Sequence, residues 1–425
     1  MAVAVGRRWE TVALENLAEF RNGINYNKDN FGRGIKVINV KNFQDHSIAS
    51  LEDLDEVNPS GVIKEKDLLK AGDIIFVRSN GNRELIGRSL FIKDIRESVT
   101  HSAFTIKLRF TSNLVVPRFY AYLFRSSLMR QILSAHGNGT NISNLNQGIL
   151  SNLQVPLPPL VTQHKIVSIL SAYDDLIENN TRRIEILEEM ARSLYREWFV
   201  NFRFPGHEQV KMVDSELGLI PEGWKVKKLG EVADINKASL KTGEAPEEIN
   251  YIDISSVSTG KIDKIEPITF SKASSRARRI VKHGDTIWAT VRPNRKSYSL
   301  ILNPIQNLIV STGFAVITGR KAPYTYLYQT LTTDNFVGYL TNNATGSAYP
   351  AVNTGDFKNA DVLIPRIELM DKFHNIVADI FNEKENFLLR NVNLRQTRDL
   401  LLPKLISGNI NLEEMDIGMY NAENN

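Results

Sequence analysis

Trp9-Glu-Thr-Val-Ala-Leu14-Glu-Asn-Leu17-Ala18-Glu19 is answered by Trp224-Lys-Val-Lys-Lys-Leu229-Gly-Glu-Val232-Ala233-Asp234. Tryptophan, leucine, aliphatic, alanine and acid return in order at an offset of 215 residues. Further along, Ala71-Gly72-Asp73-Ile74-Ile75-Phe76 matches His283-Gly284-Asp285-Thr286-Ile287-Trp288 at an offset of 212. Phe104, in the strand-like run Ala103–Leu108, matches Phe314 in the run Phe314–Thr318. Gly139, Asn146 and Leu157-Pro158 then match Gly346, Asn353 and Ile364-Pro365, all at 207. Ordered matches whose offset shrinks steadily, as small loop deletions require, read as an internal duplication.

Each copy has two parts. The first, about 150 residues, mixes short β-branched and aromatic runs with Gly/Asn/Pro turns. The runs are Ile35–Val40, Asp73–Val77 and Phe104–Leu108 in one copy, Thr286–Val291 and Leu308–Ser311 in the other. A helix is expected over Arg118–Ser134, matched by Tyr324–Leu340. The second part follows a proline stop, Pro156-Leu-Pro-Pro159 or Pro365. Apolar residues then fall at helical 3-4 spacing: Ile166, Leu170, Tyr173, Ile177, Ile184, Leu187, Ala191, Leu194 and Trp198, with Asn180 the one polar position. The other copy gives Phe373, Val377, Ile380, Phe387, Leu394, Leu401 and Leu405, interrupted by Lys384, Asn391 and Arg398. Two such helices are expected to pack on each other as an antiparallel coiled coil. About 40 residues of helix are about 60 Å long.

The expected fold class is therefore α+β: two pseudo-symmetric mixed α/β heads separated by two long helices. The heads fall at 1–156 and 206–364, the helices at 157–205 and 365–410, and a flexible tail at 411–425. Gly72-Asp73 and Gly284-Asp285 read as turns entering hydrophobic strands, Trp9 and Trp224 as core anchors of each head. Asn180 either fixes helix register or is simply tolerated.

The composition excludes several functions. There is no cysteine, hence no disulfide framework, iron–sulfur cluster, thiolate zinc site or Cys nucleophile. No 18-residue apolar run occurs, and Met1–Val5 is too short an apolar stretch for a signal peptide, so a soluble cytoplasmic protein is expected. The net charge of +4 is unevenly spread. Residues 1–160 carry 20 basic and 15 acidic side chains, 161–205 carry 6 and 7, 206–360 carry 19 and 15, and 361–425 carry 7 and 11. Both heads are basic, the first mark of a polyanion binder.

Catalytic motifs are missing. There is no GxxxxGK[ST], HExxH or GxSxG, and His46, His101, His136, His164, His207, His283 and His374 show no metal-ligand spacing. Asn303-Pro304-Ile305-Gln306 lacks the second proline and aromatic of an adenine methyltransferase motif and reads as a turn. Binding is favoured over catalysis, with no metal and no cofactor in this chain. The candidate DNA-contacting residues lie on matching loops of the two heads. Arg78, Asn80, Asn82 and Arg83 follow a strand in one; Arg292, Asn294, Arg295 and Lys296 do so in the other. Arginine reads guanine bidentately and asparagine reads adenine, so loops mixing them suit base readout. A second loop carries Asn138, Thr140 and Asn141, corresponding to Asn343–Ser347, where small residues could approach phosphates. Arg276, Arg278, Arg279 and Lys282 could supply sequence-independent phosphate contacts. For any single one of these residues, ordinary solvated surface is the alternative.

Three stretches carry a family resemblance. Leu157-Pro-Pro-Leu160-Val-Thr-Gln163-His-Lys-Ile166 looks like the opening of the central conserved helix of type I restriction–modification specificity subunits. Asp214-Ser-Glu-Leu-Gly218-Leu-Ile-Pro221-Glu-Gly223-Trp224 is similar to that family's lead into its second target-recognition domain. Leu400-Leu-Leu-Pro403-Lys-Leu405-Ile-Ser-Gly408 resembles its C-terminal helix end. The resemblance implies two target-recognition domains, each reading half of a bipartite double-stranded DNA target. The helices would set the gap and dock two modification (methyltransferase) subunits, with the seam residues Ile166, Leu170, Tyr173, Ile177, Ile184, Leu187, Leu194, Phe373, Val377, Ile380, Leu394 and Leu401 at that coiled coil. S-adenosylmethionine, ATP and Mg are then expected on the modification and restriction (motor–nuclease) subunits. The target-recognition domains vary within the family, so the resemblance transfers no base-contacting residue. Two other classes stay open from the residues alone: a DNA-modifying enzyme with cryptic motifs, and a coiled-coil scaffold whose heads bind protein.

Overall fold

A computed structural model of the chain describes residues 9–27, 30–43, 47–58, 63–80, 82, 85–135, 145–241 and 243–412. The expected tail falls almost wholly outside these. The chain divides into two compact units: residues 1–179 with 391–425, and residues 180–390. Each contains one head and one segment of each long helix.

The duplication is visible strand by strand. The first unit has an antiparallel four-stranded sheet in the order Ala18–Asn22, Thr105–Phe110, Ile74–Val77, Ser89–Phe91. The second repeats it as Ala233–Ile235, Phe314–Gly319, Thr286–Ala289, Tyr298–Leu300. A second sheet accompanies each. In the first unit Phe31–Ile38 pairs antiparallel with Asp55–Val57 and parallel with Val99–His101. In the second, Glu248–Ile252 pairs antiparallel with Glu266–Thr269 and parallel with Leu308–Ser311, which gains Ala277–Ile280 as an edge strand.

The paired Gly-Asp motifs are structural. Gly72 (φ +89°) and Gly284 (φ +85°) take the left-handed conformation that only glycine adopts without strain. Asp73 and Asp285 then accept the backbone N–H of Lys70 and Lys282, at 2.7 and 2.8 Å. Each turn feeds a strand buried along its whole length, Ile74–Val77 or Thr286–Ala289. Only their further partners differ: Asp73 is paired with Arg109 at 2.7 Å, whereas Asp285 accepts from the Thr318 hydroxyl at 2.6 Å.

The first long helix spans Leu160–Tyr195 and ends in a π-helical turn, Arg196–Val200; the second spans Ile367–Ile406. Within each unit their segments run antiparallel. In the first unit Asp174 meets Arg398 and Ile177 meets Asn391; in the second Arg183 meets Phe387 and Glu188 meets Lys384. Ile166, Leu170, Phe373 and Val377 are fully buried, each contributing about 1.5–3 kcal/mol of burial. Tyr173, Ile177, Ile184, Leu187, Leu194, Ile380, Leu394 and Leu401 are partly buried.

The polar residues that interrupt the second seam do not break it. Every seam position of the first helix recurs 207 residues later in the second, so Lys384, Asn391 and Arg398 stand where the first helix has Ile177, Ile184 and Ala191. Each is answered from the facing helix. Lys384 is paired with Glu188 at 2.5 Å, Asn391 donates to the Ile177 carbonyl at 3.4 Å, and Arg398 donates to Asp174 at 2.6 Å. The helix therefore continues through all three. Asn180 is also buried.

Two expectations are corrected. Arg118–Ser134 is not one helix but two, Pro117–Arg125 and Ser127–Ala135, and Tyr324–Leu340 is likewise Tyr324–Leu331 and Asp334–Asn343. The chain turns at Ser126, whose extended ψ of 146° ends the first helix, and at Thr333, whose hydroxyl caps the next by accepting the Phe336 N–H. Neither break carries glycine or proline, so the apolar pattern runs on through both.

The tryptophans close the helix ends. A Cβ on Gly408 (φ +72°) would lie 3.0 Å from the Trp9 ring, which therefore rests on the turn that finishes the second helix. Trp224 packs on Phe199, Phe202 and Phe204 just after the first.

One buried histidine makes the first unit acid-sensitive. His101 is wholly buried, and Thr105 Oγ1, 2.8 Å from its Nδ1, already donates its proton to the Ser102 carbonyl. Nδ1 must then carry the hydrogen, and burial pushes the imidazole down to about 3. Below the unfolded value of about 6.5 the unfolded chain binds a proton that the native chain refuses. The His101 contribution to stability should thus be constant above about pH 6.5 and fall by at most about 1.4 kcal/mol per pH unit below it. Denaturant titrations from pH 7 to pH 4 check this; His101→Gln should flatten the profile.

Candidate nucleic-acid interface

In the second unit, the strand Thr286–Ala289 leads into a short turn, Pro293–Arg295, flanked by two residues in left-handed conformation, Arg292 (φ +52°) and Lys296 (φ +55°). Side chains other than glycine occupy that region at a cost of roughly 1–3 kcal/mol, which surrounding contacts must offset. Here they do. The Arg292 N–H donates to the Pro350 carbonyl at 2.7 Å, its guanidinium donates to the Ala348 carbonyl at 3.1 Å and lies 4.5 Å over the Tyr349 ring. Lys296 is paired with the well-exposed Asp334 at 2.7 Å. The turn so held presents Asn294 and Arg295 to solvent.

The structure brings the two candidate loops of this head together. Thr345 and Val291 both bridge to Ala351, so the Asn343–Ser347 segment stands beside Arg292. Tyr349, 69% exposed beneath the Arg292 guanidinium, completes this surface. Sequence reading passed over it; a lone aromatic just after a loop of small polar residues was the available signal.

The arginine cluster belongs to the other sheet. Arg278 lies 4.8 Å over the Phe270 ring and donates to the Ala277 carbonyl, and Arg279 donates to Ser239 Oγ at 3.0 Å. Burial lowers the Arg279 pKa, and its Nε is buried without a partner. Arg276 and Lys282 are exposed. Two of the four cations thus point to solvent, while the other two are held by their own head.

In the first unit, the backbone of Arg78 is clamped by the Phe104 carbonyl and the Leu145 N–H, at 2.8 and 2.9 Å. Asn80 accepts the Asn82 N–H at 2.8 Å in an Asx turn, and Asn82 is exposed. Arg83, Asn138, Thr140 and Asn141 lie outside the described residues. Each head therefore offers a turn after its central buried strand, with Arg and Asn in both but different backbone geometry.

The resemblance stretches also have structural reasons. Gln163 is fully buried: it accepts the Val116 N–H and donates to the carbonyls of Leu114 and Pro158, fastening the first long helix to its head. No group of three or more His, Cys, Asp or Glu suited to a metal ion occurs among the described residues. No described helix is long and apolar enough to cross a membrane.

The family model for the type I restriction modification DNA specificity domain matches this chain twice, over residues 6–189 and 221–386. The chain is a type I restriction–modification specificity subunit. The MjaIX specificity subunit of Methanocaldococcus jannaschii is 26% identical over 310 residues, 71% of each chain. The HindI specificity subunit of Haemophilus influenzae is 22% identical over 420 residues, 81% of this chain and 88% of that one. The crystal structure of the type I restriction–modification S subunit from M. genitalium shares the fold, with a TM-score of 0.56 and 16% identity over 95% of this chain and 99% of that one. Each family match covers one head, and specificity subunits are the non-catalytic members of their complexes.

Proposed function

We propose that each head of this specificity subunit reads one half of an asymmetric bipartite DNA target, while the two long helices set the gap and dock two methyltransferase subunits. The carrying observation is the repeated pair of turns after equivalent central strands. They sit on one scaffold yet display different side chains: Asn80 and Asn82 in one, Asn294 and Arg295 beside Arg292 and Tyr349 in the other. Like scaffolds with unlike loops favour unlike half-sites.

Phosphate contacts from the basic heads would give salt-sensitive encounter, and loop side chains in the major groove about 1–3 kcal/mol of discrimination per bidentate contact. Linking two modest affinities through one body multiplies them only when the half-site spacing fits. The seam residues are occupied in packing helix on helix, so docking would use other faces. Leu176, Ile186 and Met190 on the first helix and Leu389, Val392 and Leu400 on the second are each about half exposed or more. S-adenosylmethionine would then reside on the methyltransferase subunits, and ATP and Mg on the motor–nuclease subunits.

Methylation sequencing of genomic DNA from cells with and without this gene, alongside its modification partner, tests the reading. A gene-dependent adenine-methylated motif with two unequal halves is expected. If no motif depends on the gene, the reading fails.

A further inference from the structure

The second unit contains a cleft of about 510 Å³ where the end of the first long helix, the Thr259-Gly260 turn and the helices Tyr324–Leu331 and Asp334–Asn343 face one another. Its charges are unequal in availability. On the floor, Lys384 is largely buried and committed to Glu188. At the rim, Arg192 and Arg196 lie four residues apart on one helix face and share a single carboxylate, Glu189, at 3.3 and 3.7 Å. Lys296 also lines the cleft, and its partner Asp334 is 90% exposed. Exposed pairs of this kind contribute little and exchange partners readily. The rings of Tyr298 and Tyr328 are buried, and both line the cleft. Burial raises both tyrosine pKa values, with Arg192 acting against it, so both hydroxyls remain protonated donors near that guanidinium.

Three rim cations and two hydroxyl donors around one cleft match a phosphodiester. Lys296 also ends the turn that presents Asn294 and Arg295, which connects the cleft to the candidate reading loop. We propose that this cleft seats a backbone phosphate of the bound DNA, held by Arg192, Arg196 and Lys296. The inference rests on the DNA-reading role proposed above and adds a clamp built partly from the long helix. The repeat does not impose it. The position equivalent to Arg192 in the second helix is Asp399, and that of Arg196 is Pro403, so the arginine pair is not repeated at the matching positions of the second helix.

The test is salt-dependent binding of the full chain, assembled with its modification partner, to duplexes carrying its methylated motif or a scrambled one. Arg192→Gln should flatten the slope of log K against log salt by about 0.9, and Arg192→Gln/Lys296→Gln by about twice that. The preference of Arg192→Gln for motif over scrambled duplex should stay unchanged, since a phosphate contact carries no base information. Arg395→Gln, on an exposed helix position outside the cleft, is the control and should leave the slope as it is. If the wild-type complex prefers the motif but Arg192→Gln keeps the full slope, the clamp is overturned. If the wild-type complex shows no preference at all, the DNA-reading role itself fails.

Discussion

Replacing Arg398 by methionine should cost the first unit about 3–5 kcal/mol, because it strands a carboxylate in the helix seam. The Arg398–Asp174 pair is 2.6 Å long with side chains only 9% and 11% exposed. The Tyr122 hydroxyl donates to the second oxygen of Asp174 at 2.5 Å, so both oxygens are engaged. Burial opposes the Arg398 charge, but Asp174 and Asp399 outweigh it and raise its pKa. The second unit shows what an uncharged version looks like. There the positions equivalent to Asp174 and Arg398 are Phe381 and Ala191, both buried, and Phe381 meets Tyr328 edge-on at 5.7 Å. The double variant Asp174→Phe/Arg398→Ala should therefore recover most of the loss, as matched apolar replacement of buried pairs commonly does. Amide hydrogen exchange, which reads each unit separately, measures both outcomes. If the single variant is as stable as wild type, the pair does not organise the seam.

Removing one heptad from each long helix should shorten the gap in the recognised DNA by about three base pairs. Seven residues of helix span about 10.5 Å, and duplex DNA rises about 3.4 Å per base pair. Thr181–Leu187 and Glu385–Asn391 are suitable segments, because the helices run antiparallel and each deletion removes one full seam repeat. Deleting only the first segment shifts Glu188 by one heptad relative to Ile177 and Asp174, so the Lys384 pair and the Asn391 and Arg398 pairs can no longer form in one register, and assembly should be abolished. Methylation sequencing with the doubly deleted subunit reads the result. An unaltered gap in an active complex would remove the helices from the measurement of spacing.

Much of this architecture was legible because duplication leaves its marks at positions chemistry restricts. The Gly-Asp pairs survive because a left-handed glycine and a turn-capping carboxylate are both needed before a fully buried strand. The tryptophans survive because each finishes a helix end. The polar seam residues were harder to read. Lys384, Asn391 and Arg398 looked like interruptions since their partners, Glu188, the Ile177 carbonyl and Asp174, lie about 200 residues away in sequence. The helix breaks at Ser126 and Thr333 were hidden because a serine or threonine leaves the apolar period intact. Site residues were legible in type and loop, not in posture. That Arg278 would lie over Phe270, or Arg292 over Tyr349, depends on aromatic side chains 8 and 57 positions away.

The unit assembled from residues 1–179 and 391–412 sets a timetable for biosynthesis. Ile166, Val167 and Leu170 share their core with Leu402, Leu405 and Ile406. At about 5–20 residues per second, a ribosome needs roughly 12–46 s to travel from Leu170 to Leu402. Throughout that interval the emerging first head carries an uncovered apolar helix face. Residues 180–390, contiguous in the chain, have all their seam partners before the first head has its own. The nascent chain should therefore mature from the middle outward, and the first head is the part that needs protection from aggregation while it waits.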